Sequence, residues 1–216
     1  DGICYRVNVT GTKNIAEVCK ENDIYLINIS TDFVFAGDKE ESYAETDLRN
    51  PIEWYGQTKA WAEEVIEKTL ENYAIARIGY PFRAEFAAKP DTVAKTKQGL
   101  ATGTLYPQFA DMTITPTYID DMARAIELMI EKKPQGIFHL HNSSSLSPFE
   151  LAKKIAVTFG FDPKTVKEGS LEEYLKTTER PYQKSLKMSN QKVQAELGIK
   201  LMTIDEALED IKKQLA

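Results

Sequence analysis

The sequence predicts an α/β fold, a parallel sheet with helices on its faces. Three observations predict it. Ile24-Tyr25-Leu26-Ile27-Asn28-Ile29 has the length and β-branched content of a buried strand, and Tyr73 to Ile78 repeats that pattern. Between them, Ala60 to Leu70 is a run rich in helix formers. Strand, helix and strand in that order require a crossover, and crossovers join parallel strands.

Taken in order, Val7 to Asn22 reads as a helix and Tyr25 to Ile29 as a strand. Phe35 to Pro51 reads as a polar loop, its acidic stretch Asp38 to Asp47 most simply solvated. A helix from about Glu53 to Leu70 leads into the strand Tyr73 to Ile78. From Gly79 the rhythm loosens. Asp91 to Ala101 reads as helix, Thr113 to Thr117 as a short extended piece, Asp120 to Lys132 as helix and Gly136 to Leu140 as strand. Ser147-Pro148-Phe149-Glu150 is a capping box with proline at the first helical position, opening a helix to Phe159. Ser170 with Glu173 and Thr203 with Glu206 repeat the capping signature. No internal repeat or flexible linker separates two halves, so the lobes are expected to interweave.

Composition bounds the function. The 216 residues suffice for one large domain with a real core. A hydrophobic share of 42% with 28% charged residues fits an ordinary soluble globular chain. The net charge of −6 offers no overall attraction to nucleic acid or to an anionic membrane. No apolar run approaches transmembrane length. Cys4 and Cys19 fall in one helical stretch, about 22 Å apart at the helical rise per residue. That is beyond disulfide reach, and two unpaired thiols suit a reducing cytoplasm.

Two segments carry the chemistry: Ser30-Thr31-Asp32-Phe33-Val34-Phe35 at a strand end, and Tyr55-Gly56-Gln57-Thr58-Lys59 at a helix start. Tyr-x-x-x-Lys alone says little, since a chain with ten tyrosines holds about one such spacing by chance. Context carries the weight. Tyr55 and Lys59 share a helix face. An unperturbed tyrosine titrates near 10, and a cation about 4 Å away contributes about 4 kcal/mol, or roughly 3 pKa units. A phenol tuned in this way could give and take a proton beside a hydride transfer. Thr31 sits where ligands bind an open α/β sheet, with a hydroxyl able to orient a substrate oxygen. The plain alternatives are a packed tyrosine with an exposed lysine, and cap or turn roles for Thr31 and Asp32.

These segments, with Asn8-Val9-Thr10-Gly11-Thr12-Lys13-Asn14, Thr115-Pro116-Thr117-Tyr118-Ile119-Asp120-Asp121, and Arg180-Pro181 before Leu186 and Leu197-Gly198-Ile199, resemble the extended short-chain dehydrogenase/reductases. Within them the resemblance is to the dTDP-4-dehydrorhamnose reductase group, over almost the whole chain. It implies a Rossmann-like doubly wound parallel sheet with a smaller interwoven substrate-binding lobe. Residues 1–80 would be the C-terminal part of the dinucleotide-binding domain, and 81–216 mainly the substrate lobe. The family's glycine-rich turn after the first strand, which holds the cofactor pyrophosphate, has no counterpart here. The expectation is therefore a chain whose first βα units are missing.

The resemblance implies NADPH or NADH as cofactor, a nucleotide-sugar substrate and a cytoplasmic enzyme; relatives are often homodimers. It assigns catalysis to Thr31, Tyr55, Lys59 and Asn8, the last holding a water near the lysine. Cofactor contacts would come from Tyr55, Lys59, Ser30 and Pro81, and substrate contacts from Thr31, Asp32, Tyr80 and Arg180. Phe33 stands where a tyrosine is usual and Tyr80 where a tryptophan is usual, so the sugar itself stays open. A helix-terminal structural role for Asn8 remains an equal alternative. Arg180 could pair with a diphosphate or anchor the C-terminal segment through a carboxylate. His139 and His141 alternate on a strand, but no third ligand stands nearby, so no metal site is expected. The competing functions are a nucleotide-sugar epimerase or dehydratase of the same fold, and a non-catalytic regulatory subunit resembling that of methionine adenosyltransferase.

Overall fold

A computed structural model describes residues 2–85 and 88–216. The chain opens with helix α1 (Gly2–Tyr5), a π-helical turn (Arg6–Thr10) and α2 (Gly11–Glu21). Strand β1 (Leu26–Thr31) ends in a 3-10 turn, Asp32–Val34. Helix α3 (Trp54–Thr69) is capped by the Glu53 carboxylate, which accepts from the Tyr55 and Gly56 N–H groups, and leads to β2 (Tyr73–Ile78). Then come α4 (Thr92–Thr102), β3 (Gln108–Phe109), α5 (Ile119–Lys132), β4 (Gly136–His139) and α6 (Pro148–Thr158). The chain closes with β5 (Glu168–Gly169), α7 (Leu171–Leu175), α8 (Gln191–Leu197) and α9 (Ile204–Gln214).

The main sheet runs β1-β2-β4, all parallel. Side chains alternate across it, and each face is buried by a different helix pair. Ile75, with Leu26, Tyr73 and Ile137, packs under Ala16, Cys19, Ile66 and Leu70 of α2, α3 and the turn after α3. Ala74, Ala76 and Phe138 face Ala125 and Met129 of α5 and Val193 and Leu197 of α8. Helices on both faces of a parallel sheet make the doubly wound arrangement that the sequence predicts. Each fully buried aliphatic side chain here, such as Ile66, Ile75 or Met129, contributes about 1.5–3 kcal/mol.

The second core joins α4, α6 and α9 through Val93, Leu151, Ile155, Ile204, Leu208 and Ile211. The small β3-β5 sheet lies with this lobe. Because α5, β4 and α8 return to the main sheet between lobe segments, the two parts interweave.

Most predicted elements stand within two residues, and the differences have local causes. The first helix starts at Gly2 rather than Val7, with a π turn where Asn8 sits. Strand β1 runs two residues further, so Ser30 and Thr31 lie inside it. Thr113 and Ile114 form isolated bridges to Ser185 and Leu146 instead of a strand. The loop after Phe35 is not simply solvated: Tyr43 is buried against Phe35, and its hydroxyl donates to Asp38.

Candidate active site

The carboxyl ends of β1 and β2 and the first turn of α3 meet at one place. Gly56 makes that meeting feasible, because a Cβ there would overlap the Phe33 carbonyl. Lacking one, α3 starts directly against the turn after β1. Tyr55 is thereby brought near Thr31, whose hydroxyl favours the charged form of the phenol.

Burial pushes the Tyr55 phenol above the usual tyrosine range; the Thr31 hydroxyl pulls it back, and the charges of Asp32 and Glu53 add to the rise. The sequence expectation that Lys59 lowers this acidity constant is corrected here. The Lys59 ammonium donates to the Ile29 carbonyl of β1 at 2.6 Å, and the net shift of Tyr55 is upward. Burial lowers Lys59 itself, opposed by the Glu63 carboxylate.

Asn8 donates to the Thr58 hydroxyl at 2.9 Å and to Cys4 Sγ at 3.4 Å. Its amide therefore links the π turn to α3, one residue from Lys59. Ser30 is buried and donates to Glu63 Oε1 at 2.5 Å. Its side chain points toward α3. Asp32 is 1% exposed and accepts from Thr31 at 3.1 Å, so as placed its carboxylate does not reach solvent or a cleft.

Tyr80 and Pro81 line a cleft of about 1000 Å³ along α4, with Arg83, Lys89, Lys95 and Thr96. Tyr80 also lines an adjoining space of about 660 Å³ with Tyr106, Phe109, Tyr174 and Tyr182. Its φ of +43° lies in the left-handed region, an unusual conformation for a tyrosine that turns the chain at the mouth of the cleft. Edge-to-face contacts run from Tyr55 to Phe33 and from Phe33 to Tyr80, with centroids 6.3 Å apart in both. Phe33 thus bridges the reacting end to the cleft. Arg180 is exposed, its guanidinium 5.2 Å from the Tyr182 ring centre, and lines neither space.

Sequence reading missed the cleft wall. Tyr106 and Phe109 come from one short segment at β3 and Tyr174 from α7, far along the chain, so no local spacing joins them. Lys95, Thr96 and Gly99 were findable as a polar stripe one helical turn deep on α4. Cys4 and Cys19 are free thiols, and His139 and His141 stack edge to face at 5.8 Å. Among the described residues no helix is long and apolar enough to cross a membrane.

For a nicotinamide cofactor the residues present fit one end only. Tyr55, Lys59 and the backbone beyond β2 stand at the strand ends where a nicotinamide would lie, while no glycine-rich strand–turn–helix occurs in the sequence.

The chain is similar to known proteins in sequence and in fold. The chain is 29% identical over 207 residues to the probable low-salt glycan biosynthesis reductase Agl14 of Haloferax volcanii, covering 94% of this chain and 67% of that one. It is 29% identical over 179 residues to the dTDP-4-dehydrorhamnose reductase of Mycolicibacterium smegmatis, covering 82% and 54%. The crystal structure of dTDP-4-dehydrorhamnose reductase from Bacillus anthracis in complex with NADP superposes with a TM-score of 0.85 at 26% identity, over 96% of this chain and 72% of that one. The chain thus spans between about half and two thirds of the length of these curated relatives. Residues 3–216 match the family described as RmlD substrate binding domain, and the chain belongs to that family.

Proposed function

We propose that this chain supplies the catalytic residues and substrate lobe of an oxidoreductase that reduces a 4-keto nucleotide sugar with NADPH or NADH. The observation that carries the reading is the Tyr55 phenol near Thr31 at the end of β1, with Lys59 one turn along the same helix face and bonded to the Ile29 carbonyl. Residues 1–80 then form the cofactor side and 81–216 mainly the substrate side.

When bound, the nicotinamide supplies the hydride. The rest falls to this chain. Thr31 donates to the substrate carbonyl oxygen and holds it beside Tyr55; Tyr55 gives its proton to that oxygen as negative charge builds there. A phenol held above its usual range is fully protonated at neutral pH, which suits the acid of a reduction. Lys59, fixed to the strand by the Ile29 carbonyl, places a positive charge where the nicotinamide ribose and ring would approach. Tyr80, Tyr106 and Tyr174 offer faces for a sugar and a base. Arg83, Lys89 and Lys95 along the cleft offer cations for phosphates, which the overall charge of −6 does not. The NADP named with the Bacillus anthracis structure favours NADPH.

The test is turnover by the whole encoded protein with dTDP-4-dehydrorhamnose and NADPH. Stoichiometric NADPH oxidation is expected, and Tyr55→Phe lowers kcat by about 10²–10⁴-fold with KM little changed. Undiminished turnover in that variant would remove Tyr55 from the mechanism. Product formed without net NADPH consumption would point instead to an epimerase or dehydratase.

A further inference from the structure

A buried ionisable pair lies directly behind Thr31 and has no role in the reaction described so far. Asp32 is 1% exposed and His141 is wholly buried. Asp32 Oδ2 and His141 Nε2 are 3.8 Å apart. Among the described residues neither Asp32 Oδ2 nor either ring nitrogen of His141 has a hydrogen-bond partner. Asp32 follows β1 and His141 follows β4, which are separated in the sheet by β2. They meet because Gly79, at the end of β2, has no side chain: a Cβ there would overlap Asp32 Oδ2. The carboxylate passes through that gap.

The pair acts on a hydroxyl with little freedom. Thr31 Oγ1 has one proton and two lone pairs to give. It accepts from the Phe33 N–H at 3.3 Å and donates its proton to Asp32 Oδ1 at 3.1 Å. A phenolate forming at Tyr55, or a substrate oxygen gaining charge, needs that same proton. While Asp32 is an unpaired carboxylate it holds the proton, and its charge also disfavours the Tyr55 phenolate.

We infer that His141 is a positioning residue: its Nε2–H donates to the far oxygen of Asp32 and draws that carboxylate back, and so releases the Thr31 hydroxyl toward Tyr55 and the substrate. The inference rests on the reductase reading of this site. Its proton balance is simple. The imidazole shares its Nε2 proton with the Asp32 carboxylate, no proton is gained or lost, and no bond to substrate is made. The groups facing the pair are few. Asp32 faces Tyr55 from α3, Tyr80 beyond β2 and His141; His141 faces Asp32 and, edge to face, the ring of His139. His139 lies 3.4 Å from Arg77, and burial pushes it well below the usual histidine range, so it stays neutral beside the pair.

The test has two arms. The chain has two histidines, so nitrogen-resolved NMR separates His139 from His141 without crowding. Replacing Asp32→Asn is expected to shift the His141 Nε2 signal as its carboxylate partner is lost, with His139 unmoved. An unchanged His141 signal would overturn the pair. In the whole encoded protein, His141→Leu is expected to lower kcat for reduction by about tenfold with KM near its original value, and His141→Gln, which keeps a donor, to recover most of it. Equal kcat in all three proteins overturns the positioning role. Absence of turnover in the unmodified protein would overturn the reductase reading and Thr31's part in it, and the imidazole spectrum would then judge the pair alone.

Discussion

Tyr55 illustrates how one side chain's surroundings divide a reaction into directions. Burial raises its phenol, the Thr31 hydroxyl lowers it and Asp32 raises it, with a net rise. A raised acid is protonated on the low-pH side of its constant and charged only above it. Reduction, which consumes the protonated form, is therefore expected to be insensitive to Tyr55 ionisation at neutral pH. The reverse oxidation needs the phenolate and should climb about tenfold per pH unit until the phenol titrates. Thr31→Val removes a neighbour that favours the phenolate, and should move that alkaline limb to higher pH. Oxidation rates measured across the alkaline range in both proteins check this; an identical limb would show that Thr31 does not touch the phenol in solution. At this scale the spacing of Thr31, Tyr55 and Lys59 and their place at element ends were legible in the sequence, and the fold brings the ends of β1 and α3 together. Their partners were not legible. That Lys59 reaches the Ile29 carbonyl, that Ser30 turns to Glu63 and that Asn8 holds Thr58 depend on which way each strand and helix faces. A single register step reverses that facing.

Helices and strands were easier to read than contacts because their signals are local. Ser147 with Glu150 and Thr203 with Glu206 both form reciprocal capping boxes, and α6 and α9 start one residue after each cap. Asp91 and Glu53, not singled out as caps, do the same work for α4 and α3. Strands β3 and β5, two residues each, were too short to read, and two further elements escaped notice. The seven-residue α8 is recognisable only once Val193 and Leu197 are seen packing on β4. The π turn at Arg6–Thr10 has no compositional signature, since it arises from one extra residue fitted into a continuous helix. The α9 cap yields a prediction. Thr203→Ala leaves the Glu206 N–H and carboxylate without their hydroxyl, and should cost about 1 kcal/mol in urea unfolding. Glu206, held down to about 2 by Lys200 and by the Thr203 backbone and hydroxyl, gives that stability a pH signature. Because its folded value lies below the unfolded one, its contribution is complete above the ordinary carboxylate range and fades as pH falls toward 2. Glu206→Gln should remove that part of the acid slope, and an unaltered slope would assign it to other carboxylates.

On the scale of the whole molecule, one buried charge network ties the reacting end to the sheet. Arg77 of β2 makes a paired contact with Glu63 of α3, Nε to Oε1 at 3.0 Å and Nη2 to Oε2 at 2.7 Å, with both side chains essentially unexposed. Glu63 also accepts from Ser30 of β1 and from Arg49 in the loop before α3. Arg77 lies 3.4 Å from His139 of β4 and 4.8 Å from the Phe35 ring centre. All three strands of the main sheet and the Tyr55 helix are thus joined at a single ion pair. Burial works against the Glu63 charge, but Arg77, Ser30 and Arg49 more than offset it and hold the carboxyl below its usual range. Desolvation makes such a pair costly to break and much less costly to replace whole. Arg77→Met strands a buried carboxylate and should destabilise the protein by about 3–5 kcal/mol. Arg77→Met with Glu63→Met removes both charges, leaving Ser30 and Arg49 short of a partner, and should be more stable than Arg77→Met alone. Urea unfolding of the two variants beside the unmodified protein reads the difference. A double variant less stable than the single one would mean that the ion pair contributes net stability beyond its own desolvation. A larger loss of turnover than of stability in the double variant would show that the network also fixes the height of α3 against β1. Tyr55 and Thr31 depend on that spacing, since each reaches the site from one of those two elements.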